Sequence, residues 1–126
     1  MALGQFLPLA KNGNDYVFNT SAGIEIPDGY QRLGKVLSDA MAQAARGKGK
    51  ERHAGVNENF EDQQIVEIAR RLGSEDGPLF QAVKKIYESK RLSREAAKAE
   101  LLGAINYLAA AIIVREEAAR GNDEQG

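Results

Sequence analysis

The densest group of residues able to do chemistry lies in one polar stretch. Arg46, Lys48, Lys50 and Arg52 set four cations against the single carboxylate of Glu51, with Gly47 and Gly49 between them. Glycine lets a backbone approach a ligand closely, and N–H-rich cationic segments suit phosphate. The spacing is not that of a phosphate-binding P-loop, which needs four residues before a Gly-Lys-Ser/Thr ending. His53, Asn57 and Asn59 follow, polar groups able to read a base edge or a ribose. A solvated charged loop explains the same cations. Glu61 and Asp62 near a helix start are what the macrodipole favours without any ligand. No serine or cysteine sits at an informative spacing from His53, so that histidine reads as exposed or structural.

A second set of cations is Arg70-Arg71, Lys84-Lys85, Lys90-Arg91 and Arg94. Each pair falls opposite an apolar stripe, as solvated helix faces do. Brought together in an oligomer they would make an anion pocket between subunits, where Phe60 and Tyr87 could stack on a base. Asn106 is the one polar side chain within an apolar helix. It would be buried, fixing register in a helix pair or touching a ligand. Metal-dependent nucleotide pyrophosphatase chemistry needs carboxylate pairs on facing helices. Glu58 and Glu61 have that spacing, but Glu67, Glu88 and Glu95 are scattered singly.

Composition narrows the classes. The 126 residues fit one domain, and 43% hydrophobic against 28% charged residues is the balance of a globular chain. Lys+Arg 17 against Asp+Glu 18 argues against a surface built for bulk nucleic-acid binding. The absence of cysteine excludes disulfides, thiolate zinc sites and cysteine nucleophiles, and the single histidine excludes a multi-histidine metal site within one subunit. No cofactor is expected. The start, Met-Ala-Leu-Gly-Gln-Phe-Leu-Pro, lacks the pattern of a signal peptide. The apolar stretch from Leu101 to Val114 falls short of the roughly 20 residues that span a bilayer. A cytoplasmic chain without membrane contact is the expectation.

The elements that must position these residues follow from periodicity. Gln5-Phe6-Leu7 and Tyr16-Val17-Phe18 flank Asn12-Gly13, a turn signal, and Ile24-Glu25-Ile26 alternates like a half-buried strand. These predict a small antiparallel sheet or arm over 1–27, which must lie on helices or on a neighbouring subunit. Asp28 is placed to cap a first helix striped by Leu33, Leu37, Ala40, Met41 and Ala44. The stretch 47–59 has no apolar period and reads as a long loop. A second helix, from near Phe60 to Gly73, carries Ile65, Ile68, Ala69 and Leu72. A third carries Leu79, Phe80, Val83, Ile86 and Tyr87 on its apolar side, with Lys84 and Lys85 on the other. Ser93 caps a last helix running to about Arg120. Its middle is apolar on every face, more than the rest of so small a chain can cover. Homo-oligomerisation through this helix follows.

Residues 50–114 carry Lys-Glu-Arg-His-Ala, Asn-Phe-Glu-Asp-Gln and Glu-Leu-Leu-Gly-Ala-Ile-Asn-Tyr-Leu, and this half of the chain resembles small bacteriophage proteins. Ser-Arg-Glu, followed about twenty residues later by Ala-Ala-Ala-Ile-Ile-Val-Arg, is similar to the helical hairpin of phage immune-signal sponges. Those oligomers sequester cyclic nucleotides or cyclic ADP-ribose signals between subunits. Where that hairpin carries acidic residues and a tryptophan, this chain has Leu102, Gly103 and Tyr107. The resemblance implies an anti-defence, ligand-binding phage protein and assigns no binding residue.

The expected protein is α+β and mainly α: a short N-terminal β arm or hairpin, then about four helices, the last long and apolar. One domain spans 1–120, its arm over 1–27 and its helices over 28–120, with 121–126 a disordered acidic tail. Function is expected to be non-catalytic binding of a phosphate-containing nucleotide by a homo-oligomer, at Arg46, Lys48, Lys50, Arg52, His53, Asn57, Asn59, Arg70 and Arg71. Two alternatives are an anti-defence inhibitor that covers a host protein and the pyrophosphatase.

Overall fold

The computed structural model describes residues 6–7, 16–18, 25–46 and 59–125. Three short strands, β1 (Phe6–Leu7), β2 (Tyr16–Phe18) and β3 (Glu25–Ile26), precede four helices: α1 (Gln31–Arg46), α2 (Gln64–Leu72), α3 (Asp76–Ser89) and α4 (Arg94–Gln125). A 3-10 turn over Phe60–Asp62 leads into α2. The protein is therefore mainly α with a small β element, and its last helix is long and apolar. Residues 1–42 and 43–126 form two compact units.

In the first unit the strands pair antiparallel in the order β1-β2-β3, with Phe6 opposite Phe18 and Tyr16 opposite Ile26. The predicted Asn12-Gly13 turn lies outside the described residues. Asp28 does not cap α1 directly. Its carboxylate accepts from the Gln31 amide at 3.0 Å, and the Gln31 side-chain carbonyl accepts the Gly29 N–H at 3.0 Å. Gly29 supplies the positive φ of 89° that this turn requires.

In the second unit local signals act as the sequence suggests. Gly73, at φ 70°, ends α2. Its N–H reaches the Arg70 carbonyl and that of Ser74 reaches Ala69, which is the Schellman pattern. Ser93 starts α4, its hydroxyl accepting the Ala96 N–H at 3.4 Å. The helix does not stop at Arg120. It runs through Gly121 to Gln125, because one glycine inside a helix costs only about 1 kcal/mol and cannot by itself end it.

Which faces are buried differs from the sequence reading. The core joins Ile65, Val66 and Ala69 of α2 to Ala110 and Val114 of α4, with Phe60, Tyr107 and Ile113 packed against it. Ile68 and Leu72, expected in the α2 stripe, are exposed, as are Leu33, Leu37 and Met41 of α1. On α3 the expected apolar side is the outer one. Leu79, Phe80, Val83, Ile86 and Tyr87 are exposed, whereas Pro78 and Ala82 are buried and Lys85 is turned inward. Small residues explain the inversion. Ala82 meets a helix bearing Gly103, Ala104, Ala110 and Ala111, and close backbone approach replaces the packing of large side chains.

By length and composition the span Arg94–Gly121 is apolar enough to cross a bilayer. It is longer than the stretch 101–114 read from the sequence, because alanines on both sides extend it. Its buried positions, Leu102, Ala104, Ala110, Ala111 and Val114, are also those of a helix packed inside a protein.

Candidate functional site: a cleft between α3 and α4

A cleft of about 480 Å³ lies along α4, with Lys85 of α3, the end of α1, the 3-10 turn and the start of α2 also lining it. That volume lies in the range of small-ligand sites. Phe60 and Tyr107 supply aromatic walls, Gln43 and Asn106 supply amides, and Lys85 pairs with Glu100 beside them. The amide of Gln63, a buried side chain, donates to the Ala44 carbonyl at 3.3 Å and ties the end of α1 to the start of α2.

Lys85 is the chemically distinctive group. Its side chain is only 15% exposed, and its Nζ donates to Glu100 Oε2 at 3.2 Å. The same nitrogen stands 5.8 Å from the centre of the Tyr107 ring, within cation–π range. Gly103 makes this possible. A Cβ there would lie 3.0 Å from Lys85 Cδ and 3.1 Å from Cε, so the lysine stem crosses bare helix backbone. An ammonium has three N–H donors. Among the described residues Glu100 takes one and the Tyr107 ring faces the charge, which leaves donor capacity for an acceptor in the cleft. Because Glu100 balances the charge, this floor suits a polar neutral group, such as a nucleobase, better than a bare phosphate.

The residues expected to bind are distributed unevenly. Lys48, Lys50, Arg52, His53 and Asn57 lie outside the described residues. Arg46 ends α1 and Asn59 precedes the 3-10 turn, both exposed. Arg46 lies two residues beyond the cleft-lining Ala44, and Asn59 is next to the cleft-lining Phe60. Arg70 and Arg71 do not line the cleft, and both are paired with carboxylates. Arg70 forks onto Glu117 of α4 at 2.8 and 3.1 Å, and also donates to Glu67 and to the Glu61 carbonyl. Arg71 donates to Glu67 at 2.7 Å. Sequence spacing missed this clasp because Arg70 and Glu117 are 47 residues apart. It missed Lys85 for the same kind of reason, since only packing shows which face of α3 turns inward. Lys84 pairs with Glu88 along the outer face. Asn106 is half-buried and lines the cleft.

The clasp has a pH signature. Hydrogen bonding from Arg70 holds the Glu117 carboxyl below its ordinary value of 4.5, and hydrogen bonding from Arg71 does the same for Glu67. A carboxylate whose folded pKa is depressed contributes stability above its unfolded value and loses it as pH falls through the folded one. The loss therefore falls below pH 4.5. Arg70 and Glu117 are 36% and 35% exposed, so solvent screening reduces the contribution. Arg70→Ala is expected to cost about 1 kcal/mol at neutral pH, a fall in Tm of about 5 °C. It should also flatten the decline of Tm on the acid side. Thermal melts of both proteins from about pH 3 to 7 check this, and parallel acid limbs would show that the clasp contributes nothing.

Among the described residues no three of His, Asp and Glu gather as a metal-holding group. Glu58 lies outside them, and Glu61 contributes its backbone carbonyl to Arg70. No protein-family model, curated protein or solved structure matches this chain.

Proposed function

We propose that the chain is a non-catalytic binding protein that sequesters a phosphate-bearing nucleotide and works as a homo-oligomer. The base would lie in the α3–α4 cleft against Phe60 and Tyr107. The phosphates would be held by Arg46 and the cations that follow it in sequence, Lys48, Lys50 and Arg52. The observation that carries this reading is Lys85, a mostly buried ammonium laid over Gly103 and aimed into a cleft with aromatic and amide walls. The setting implied by the phage resemblance, a host cytoplasm with nucleotide-signalled defence, belongs to the same proposal.

Isothermal titration calorimetry with mononucleotides, cyclic dinucleotides and cyclic ADP-ribose tests it, with chromatography of the recovered nucleotide. Saturable binding without turnover is expected. Lys85→Met should weaken it about 10- to 100-fold, the range of a charge-assisted hydrogen bond. The Lys48, Lys50 and Arg52 triple alanine variant should lose the preference for phosphorylated over unphosphorylated ligand. Metal-dependent turnover abolished by changing Glu58 and Glu61 would establish the pyrophosphatase instead.

One observation favours the protein-directed alternative. The outer face of α3 presents Phe80 at 65% and Tyr87 at 71% exposure, and exposed aromatic residues are the usual anchors of protein interfaces. An inhibitor covering a host protein would lose its target on Phe80→Ala and Tyr87→Ala while leaving nucleotide titrations unchanged.

A further inference from the structure

Over residues 101–114 the long helix α4 is covered on three sides. Gly103, Ala110 and Val114 share one buried face, Leu102 is buried on one flank, and Ala104 and Ala111 are buried on the other. What remains is a narrow stripe: Leu101, Leu108 and Ile112 are 45%, 43% and 59% exposed, and Ile105 between them is half-buried. These four residues follow at intervals of four, three and four. That is the d-a-d-a seam of a heptad, with leucine at both d positions and isoleucine at both a positions, the combination that favours two parallel strands. The next seam positions outward are Lys98 and Arg115, so the apolar seam is four layers long and closed by a cation at each end. Asn106 lies off this seam and on the cleft, so it does not set the register of such a pair.

We propose that α4 pairs in parallel with α4 of a second copy through Leu101, Ile105, Leu108 and Ile112. The inference rests on the homo-oligomeric reading above and names its interface. A second copy is favoured because the seam complements itself. About a two-fold axis, leucine meets leucine and isoleucine meets isoleucine in every layer, and no other sequence is required. The outer face of α3 has no comparable run, since Leu79, Val83 and Ile86 are followed at the next seam position by Lys90. The seam covers only about 17 Å of helix. It is short beside the area that permanent dimers bury, so a reversible dimer with a Kd in the micromolar range is expected.

Sedimentation equilibrium of the full chain from about 1 to 200 μM reads the association, with the Leu108→Glu/Ile112→Glu double variant as comparison. The native chain should show a monomer–dimer equilibrium, and the variant at least about 30-fold weaker association with an unchanged helical circular dichroism spectrum. The chain has no cysteine, so Leu101→Cys introduces a single thiol. Oxidation should link two Leu101→Cys chains in a parallel pair. Linkage only in a mixture with Ile112→Cys chains would show an antiparallel pair and overturn the proposal. A chain monomeric throughout, or a dimer indifferent to the double variant, also overturns it. So does flotation of the native chain with phosphatidylcholine–phosphatidylglycerol vesicles that the double variant loses, because lipid would then be the occupant. Neither Leu108 nor Ile112 lines the cleft, so the nucleotide titration runs independently. A dimer that binds no nucleotide sinks the ligand reading and leaves the seam standing.

Discussion

Val66→Asp is expected to leave residues 43–126 without cooperative folding. Val66 has no exposed surface and sits among Ile65, Ala69, Ala110 and Val114. None of these side chains can solvate or pair a carboxylate. Burying the charge unpaired costs roughly 4 kcal/mol or more, against a total stability of about 5–15 kcal/mol for an ordinary domain. Removing two methyl groups instead, in Val66→Ala, should cost about 2 kcal/mol through lost burial and the cavity left behind. For a unit of about 80 residues that lowers Tm by roughly 10 °C. Ile68 is the decisive comparison, because the heptad-like period of α2 makes it look like the core residue. At 53% exposure, Ile68→Asp should change stability by less than about 0.5 kcal/mol in the monomeric chain. Circular dichroism melts of the three variants read all of this. A severe loss at Ile68 with tolerance at Val66 would mean that α2 packs by its other face.

Gly103→Leu is expected to separate stability from binding. The new side chain would occupy the space where Lys85 Cδ and Cε now lie, 3.0 and 3.1 Å from the position of a Cβ. Lysine is flexible and near the surface, so it can swing away, and replacing glycine within a helix returns about 1 kcal/mol of propensity. Tm should therefore move by no more than about 5 °C in either direction. Without its groove the ammonium leaves Glu100 and the Tyr107 ring, and the leucine fills the cleft floor. Nucleotide affinity should fall at least about 30-fold, more than 2 kcal/mol. Gly103→Ala, which displaces Lys85 by only a few tenths of an ångström, should be slightly more stable than the native chain and intermediate in affinity. Calorimetry and melts on the same preparations give both readings. Unchanged affinity in Gly103→Leu would remove Lys85 from the binding site.

Much of the fold was legible because its signals are local. The short strands with their antiparallel order, the stop at Gly73 and the start at Ser93 depend on a few adjacent residues. The helix stop is set by a backbone dihedral and the helix start by a nearby side-chain hydrogen bond. The end of α4 was less legible, since Gly121 is a weak stop and nothing beyond it forbids the helix. The site was legible only in part. The polar, cationic stretch from Arg46 is evident from residue types, but the cleft depends on Lys85, Glu100, Gly103 and Tyr107. These come from two helices, and only packing brings them together. Residue type marks Arg70 as a candidate binding cation, and only packing shows its partner Glu117.

The sequence by itself determined that the chain is mainly helical with a small β element, and where most of the described helices start and stop. Only the tertiary structure decided which side of each helix turns inward. A stripe of Leu79, Phe80, Val83 and Ile86 announces an amphipathic α3, yet Pro78 and Ala82 are the buried residues and Lys85 reaches Glu100 of α4. Periodicity measures the contrast between two faces, not the separation at which helices pack. Glycine and alanine on α4 allow close approach, so the surfaces that fit there are small ones, and a lysine stem can lie where a glycine has no side chain. The large apolar residues of α3 are left on its outer face.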